Sequence, residues 1–212
     1  MNLQVTNLSK SFYHSPVFQS FSLKMESGEK IGLSGPNGSG KTTLLKMISG
    51  IMSIDSGKIR IGENDVNPDE PDPRKNLYYL GHSVGLYPGL TGYENLTFIS
   101  GLYGKTSRNV SNVLIKVRLD SAQDKLVKFY SQGMLQRLKL ATAIILDPDI
   151  LLLDEPLTGL DVDGIKLFES VIVEWNELRK TMIIVSLFIS LRNQGFLGPK
   201  KHKVQNKVSE DL

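Results

Sequence analysis

The apolar positions of this chain change period several times, and each change marks an element. Leu3-Gln4-Val5 alternates like an edge strand. Leu8 to Tyr13, then Val17, then Phe21-Ser22-Leu23-Lys24-Met25 continue a period of two. Glu26 to Glu29 reads as a turn that feeds a short buried strand, Lys30 to Ser34. The period becomes helical from Thr42 to Ile48, with Leu44, Leu45 and Ile48 on one face and Gly50 as the C-cap. Gly57 to Gly62 is a strand between glycines, and Asn67 to Arg74, with Pro68, Pro71 and Pro73, is a surface loop. Leu77-Tyr78-Tyr79-Leu80 is a strand that Gly81-His82-Ser83 leaves.

The middle of the chain is helical. Thr91 and Glu94 have the spacing of a capping box that opens a helix through Leu96, Phe98, Ile99 and Leu102. A second helical pattern covers about Arg108 to Arg118. Ser131 is the N-cap of a third, with Leu135, Leu138, Ala141 and Ile145 on its apolar side. Ile150 to Leu153 is an unbroken apolar run ending in Asp154 and Glu155, which predicts a strand buried on both faces that delivers carboxylates to a sheet edge. Beyond Leu157-Thr158-Gly159-Leu160-Asp161, Phe168, Val171, Ile172 and Trp175 form a helical core stripe, and Thr181 to Ser186 is a last buried strand. The whole predicts an α/β fold: a mainly parallel sheet, an antiparallel N-terminal β subdomain, and a helical insertion at about 90–135 within a domain spanning 1–186. Residues 187–212 form an atypical segment: Gly195 to Leu212 lacks strand or helix period and reads as a solvated tail.

Chemistry concentrates in Gly35-Pro36-Asn37-Gly38-Ser39-Gly40-Lys41-Thr42, followed by Thr43. This matches G-x-x-x-x-G-K-[ST] between a predicted strand and a predicted helix. In that context the glycine loop turns backbone N–H groups toward a phosphate, the helix N-terminus adds its positive end, Lys41 reaches the terminal phosphates and Thr42 can ligand Mg²⁺. Asp154 is then expected to hold the same ion and Glu155 to polarise an attacking water. Phe12 or Tyr13 could stack on an adenine ring, or serve equally as core. His82, at a strand end, is a further candidate.

Bulk properties narrow the field. The 212 residues suffice for one good-sized core. Apolar content of 40% and charged content of 22% are those of an ordinary globular protein. A net charge of +3 does not argue for nucleic acid, and none is expected as a partner. Absence of cysteine excludes disulfides and thiolate metal sites. No signal peptide and no apolar stretch of bilayer length are apparent, so service to a membrane requires a membrane-spanning partner.

Taken together, Gly35 to Thr42, Tyr130 to Met134 opening a helix, Ile150 to Glu155 and Leu160-Asp161 resemble the nucleotide-binding domain of ABC transporters, from about residue 3 to about residue 186. The run Tyr79 to His82 with Gly85-Leu86, Leu90-Thr91 and Glu94 to Leu96 looks like the haem-exporter and multidrug-type ATPases, in which histidine replaces the usual glutamine. The resemblance implies an ATP-binding and ATP-hydrolysing subunit that works on the inner face of the cell membrane with an integral-membrane transporter subunit. It implies a homodimer or heterodimer closed head to tail around two ATP molecules. Phe12 falls at the adenine-stacking position. Ser131, Gln132 and Gly133 stand for the signature that meets the partner copy's nucleotide, with Gln132 and Met134 departing from the common pattern. Asp161 falls in the loop that crosses between copies.

Two other readings remain open: a soluble ABC-type ATPase of translation or DNA repair, and a subunit that binds nucleotide without turning it over. The second is prompted by Leu187, which stands where the family has a histidine whose imidazole reaches the γ-phosphate. The family pattern stops at that residue, as a frameshift or truncation would produce, and normal ATP binding with very slow or absent hydrolysis is expected.

Overall fold

The computed structural model describes residues 1–66, 72–81, 85–105, 109–185 and 201–203. Its elements run β1 (Leu3–Phe12), β2 (Ser15–Met25), β3 (Lys30–Ser34), α1 (Lys41–Ile48), β4 (Ser56–Ile61), β5 (Asn64–Asp65) and β6 (Leu77–Leu80). They continue with α2 (Gly92–Leu102), α3 (Val110–Lys116), α4 (Gln132–Leu146), β7 (Ile150–Asp154), α5 (Val162–Glu177), β8 (Thr181–Val185) and β9 (Lys201–Lys203).

Two sheets result. The first is antiparallel, in the order β2-β1-β4-β5. Here β1 pairs on both sides, so Leu3 to Val5 belongs to an interior strand and not to the edge that its alternation suggested. The hairpin between β1 and β2 turns at Tyr13 and His14, both with positive φ (48° and 66°), the backbone a two-residue hairpin turn requires. Tyr13 is fully exposed at that tip.

The second sheet is parallel, in the order β6-β7-β8-β3-β9. Its strands are apolar at nearly every position because both faces are covered. Leu151, Leu153, Met182 and Ile184 belong to a core that includes residues of α2 to α5, while Ile150, Leu152, Ile183 and Val185 join α1 and the antiparallel sheet. The stripe Phe168, Val171, Ile172 and Trp175 is buried as its spacing predicted. The α/β architecture is therefore the one the period changes predicted, with helices α2 to α4 inserted between β6 and β7.

Several local expectations differ. Ser49 is the C-cap of α1 and Gly50 follows it at φ 69°. Asp72–Asn76 is a 3-10 turn, not loop, while 67–71 lie outside the described residues. On α2, Leu96 and Ile99 are buried but Phe98 and Leu102 are 44% and 64% exposed. Within the expected tail, Lys201–Lys203 pairs in parallel with Gly32 to Ser34 and extends the sheet, so that stretch does hold a strand.

Candidate functional site

Parallel strands all end on one side, where the described chain leaves the sheet in the loop after β3, at the acidic end of β7 and at Gly81 after β6. Between Gly35 and Gly40 the loop carries exposed Pro36, Asn37 and Gly38 at its tip, with Ser39 buried beneath. Ser39 N–H donates to the Pro36 carbonyl at 3.2 Å. Gly40 is the N-cap of α1 at φ 91°, and a Cβ there would lie 2.7 Å from Val17 Cγ1 and 2.9 Å from the Phe18 ring. Only glycine combines that backbone with so close an approach of β2. By helix geometry the N–H groups of Lys41, Thr42 and Thr43 have no carbonyl one turn back, so they are donors for an anion. Lys41 Nζ folds over the loop and donates to the carbonyls of Gly35 (2.9 Å) and Pro36 (2.8 Å).

Side-chain parity brings the acid to this loop. Asp154 is two residues on from Leu152 and four from Ile150, so it faces the α1 side of the sheet. There its Oδ1 accepts from Thr42 Oγ1 at 3.1 Å, across 112 residues of sequence. Its Oδ2 accepts from the Tyr79 hydroxyl at 2.9 Å. Tyr79 pairs in register with Leu152, which sets its ring on the same face. Burial pushes the Tyr79 phenol well above its ordinary value, and the charge and hydrogen bond of Asp154 act in the same direction. Asp154 itself is only 7% exposed.

Glu155 departs from the strand. Its φ is 48°, a left-handed backbone that costs a non-glycine residue roughly 1–3 kcal/mol, and such strain concentrates at functional sites. Its N–H still donates to the Val185 carbonyl at 2.8 Å, so the kink begins at the last pairing of β7 with β8. Glu155 lines a cavity of about 610 Å³ with Asp154, Gln136, Lys139, Gly81 and Gln132.

Ser131 caps α4, its Oγ accepting from Met134 N–H at 3.3 Å, and Ser131 and Gln132 are exposed. The loop after β7 packs on this helix start: a Cβ on Gly133 would come 3.1 Å from the Gly159 carbonyl. Gln136 Nε2 donates to the Pro156 carbonyl at 2.8 Å. Asp161 caps α5, accepting from Gly164 N–H at 2.8 Å, and pairs with Arg137 at 2.8 Å. The Gly164 hydrogen bond, then Arg137, hold its carboxyl below the usual carboxylate range. Phe12 ends β1, 38% exposed, with Lys10 Nζ 5.5 Å from its ring centroid. His82 and Leu187 lie outside the described residues.

The structure thus brings together Lys41, Thr42 and Asp154, with Glu155 following Asp154 in the chain, and puts Ser131, Gln132, Gly133 and Asp161 at the neighbouring ends of α4 and α5. Sequence reasoning passed over Tyr79 and Lys139. Lys139 Nζ, buried on α4, donates to the Gly81 carbonyl at 2.8 Å, and burial pulls its pKa down. For Lys139 the available signal was a charged side chain in an otherwise apolar run, whereas Tyr79 stands beside an identical Tyr78.

The family model for ABC transporters matches residues 18–158. The chain belongs to the ABC transporter family. It is 32% identical over 192 residues to the linearmycin resistance ATP-binding protein LnrL of Bacillus subtilis, covering 88% of this chain and 61% of that one. It is 35% identical over 201 residues to the spermidine/putrescine import ATP-binding protein PotA of Fusobacterium nucleatum, covering 93% and 52%. It therefore spans between about half and three-fifths of the length of these curated relatives. Among solved structures, an ATP-binding subunit of an ABC transporter superposes with a TM-score of 0.80 at 25% identity, covering 91% of this chain and 82% of that one. A dimeric ATP-binding cassette in a post-hydrolysis state, bound to ADP and Pi, shares the fold with a TM-score of 0.80 at 23% identity, covering 89% of each. No helix among the described residues is long and apolar enough to cross a membrane.

Proposed function

We propose that this chain binds and hydrolyses ATP as the nucleotide-binding subunit of an ABC transporter. One observation carries the reading: Thr42 of the phosphate loop and Asp154 of the acidic strand meet at 3.1 Å although the sequence separates them by 112 residues. Among the described residues no cluster of three or more His, Cys, Asp or Glu could by itself hold a metal. A hydroxyl and a carboxylate oxygen nevertheless suit Mg²⁺, which takes one or two protein oxygens and completes its shell with water and phosphate. Thr42 and Asp154 would hold that ion, which when bound neutralises charge on the phosphates.

The chain's own groups then have distinct tasks. Lys41 exchanges its two loop carbonyls for phosphate oxygens. The N–H groups of Lys41, Thr42 and Thr43 cradle the anion. Phe12 stacks on adenine. Glu155, carried on its kinked backbone to the strand end, orients a water and accepts its proton. His82 takes the role the family usually gives to glutamine. Ser131, Gln132 and Gly133 offer the exposed N-terminus of α4 to the nucleotide held by a second copy, with Asp161 lying between the copies. ATP would thereby join two subunits, and its hydrolysis would release them.

A groove of about 470 Å³ whose lining includes exposed Ile51, Tyr87, Leu102 and Tyr103 supports a membrane-spanning partner, because apolar side chains exposed together mark interaction surfaces. A second reading, of a subunit that binds ATP but turns it over slowly, is favoured by Leu187, whose alkyl side chain offers no donor to developing charge. Glu155→Gln tests the main reading: Mg-ATP affinity is expected to stay within about threefold while steady-state phosphate release falls by two or more orders of magnitude, the range of a lost general base. Undiminished phosphate release by this variant would remove Glu155 from the chemistry.

A further inference from the structure

We infer that Tyr79 is a positioning residue for Asp154, fixing the plane of the carboxylate that faces the phosphate loop, and that Gly81 exists as glycine to admit the Tyr79 ring. Both Asp154 oxygens are engaged by donors, Oδ1 by Thr42 and Oδ2 by Tyr79. The two donors are not equivalent. Thr42 is exposed, and in the proposed site its hydroxyl is shared, a lone pair toward the cation and its proton toward Asp154. Tyr79 is 5% exposed and is not itself a ligand in the proposed site, so its hydroxyl has the single task of donating to Asp154. It is therefore the donor of the two dedicated to holding the carboxylate. Ligating carboxylates are commonly held in this way by an outer hydrogen bond, and losing it lowers metal affinity by about 10- to 100-fold.

The ring reaches Asp154 only because of what lies beside it. A Cβ on Gly81 would sit 2.4 Å from Tyr79 Cζ and 2.4 Å from its hydroxyl oxygen, far inside contact distance. The Gly81 carbonyl is held in turn by buried Lys139 of α4 at 2.8 Å. Lys139, Gly81, Tyr79 and Asp154 thus form a continuous chain of contacts from the inserted helices to the acidic strand end.

This inference rests on the ATP-and-cation reading, and the test separates the two. ATP affinity is measured by titration in EDTA and again with Mn²⁺, and Mn²⁺ binding to the protein–ATP complex is followed by its EPR signal. In the parent protein Mn²⁺ strengthens ATP binding; no strengthening there overturns the cation reading itself. Tyr79→Phe keeps the ring and removes the hydroxyl. It is expected to weaken Mn²⁺ binding at least tenfold while ATP affinity in EDTA changes less than twofold. Gly81→Ala, which keeps the phenol but displaces it, is expected to reproduce that split, and it carries the test if Tyr79→Phe fails to fold. Strengthening by Mn²⁺ in the parent, with unchanged or equally reduced Mn²⁺-dependent and Mn²⁺-free affinities in the variants, overturns the positioning role alone.

Discussion

Replacing Lys41 by methionine keeps the length of the stem and removes the ammonium group. Without nucleotide, that group is occupied by the Gly35 and Pro36 carbonyls at 2.9 and 2.8 Å. Binding of ATP exchanges these neutral acceptors for phosphate oxygens. A unit charge about 4 Å from an opposite charge near a protein surface gains about 4 kcal/mol. Giving up the two carbonyls returns about 1–2 kcal/mol of that gain, at the modest net worth of ordinary hydrogen bonds. The difference, about 2–3 kcal/mol, weakens binding roughly 30- to 150-fold at 1.4 kcal/mol per tenfold. Pro36 is exposed, so water takes over its carbonyl in the variant and the fold loses little. A melting shift of no more than about 2–4 °C follows for a chain of this size. Isothermal titration with Mg-ATP, ADP and adenosine separates the causes: both nucleotides weaken, and adenosine, lacking phosphate, does not. Equal Mg-ATP affinities in parent and variant would refute the assignment of this loop to phosphate binding.

Leu187→His restores an imidazole where the chain has an alkyl group, and one preorganised donor to developing charge is worth on the order of 10²–10³ in rate. Phosphate release is therefore expected to rise at least tenfold over a slow parent with ATP affinity unchanged, and brisk turnover by the parent defeats the idea. Leu102→Lys places a charge on an already exposed groove position, so stability should move little. In fractionated cells expressing the tagged chain, the share recovered with membranes is expected to fall about tenfold at constant ATP affinity, the scale of one interface anchor. Equal partition of parent and variant rules the groove out as the docking surface.

The features legible in the sequence are those whose cause is local. The Thr91–Glu94 capping box forms with both reciprocal bonds, 3.1 and 2.8 Å, because all of its partners lie within four residues. Ile150 to Asp154 is legible as a strand because burial on both faces demands an unbroken apolar run. The stripe from Phe168 to Trp175 is legible because one helix face meets one core. Local pattern fails where an element's surroundings decide. Leu3 to Val5 alternates in the same way whether one neighbour or two pair with it. Phe98 and Leu102 carry the period of a core face yet are exposed, since the hydrophobicity of a side chain does not reveal what covers it.

The acidic site shows where this boundary falls. Asp154 could be read as a strand-end carboxylate, but which donors hold it depends on parallel register. Tyr79 stands opposite Leu152 on β6, and Asp154 lies two residues further along the same face of β7. Shifting that register by one residue would turn Tyr79 to the opposite face of the sheet, exchanging it with Tyr78 and Leu80, and leave Oδ2 without its donor. Nothing in Leu77-Tyr78-Tyr79-Leu80 says which tyrosine faces which core, because both neighbours are apolar. The deciding clue is Gly81. A strand buried on both faces has no need of a glycine at its end, and this one leaves the space that the Tyr79 ring fills. A missing Cβ next to a buried phenol is thus the sequence trace of a contact made 75 residues away, and it became readable only once the sheet order was known.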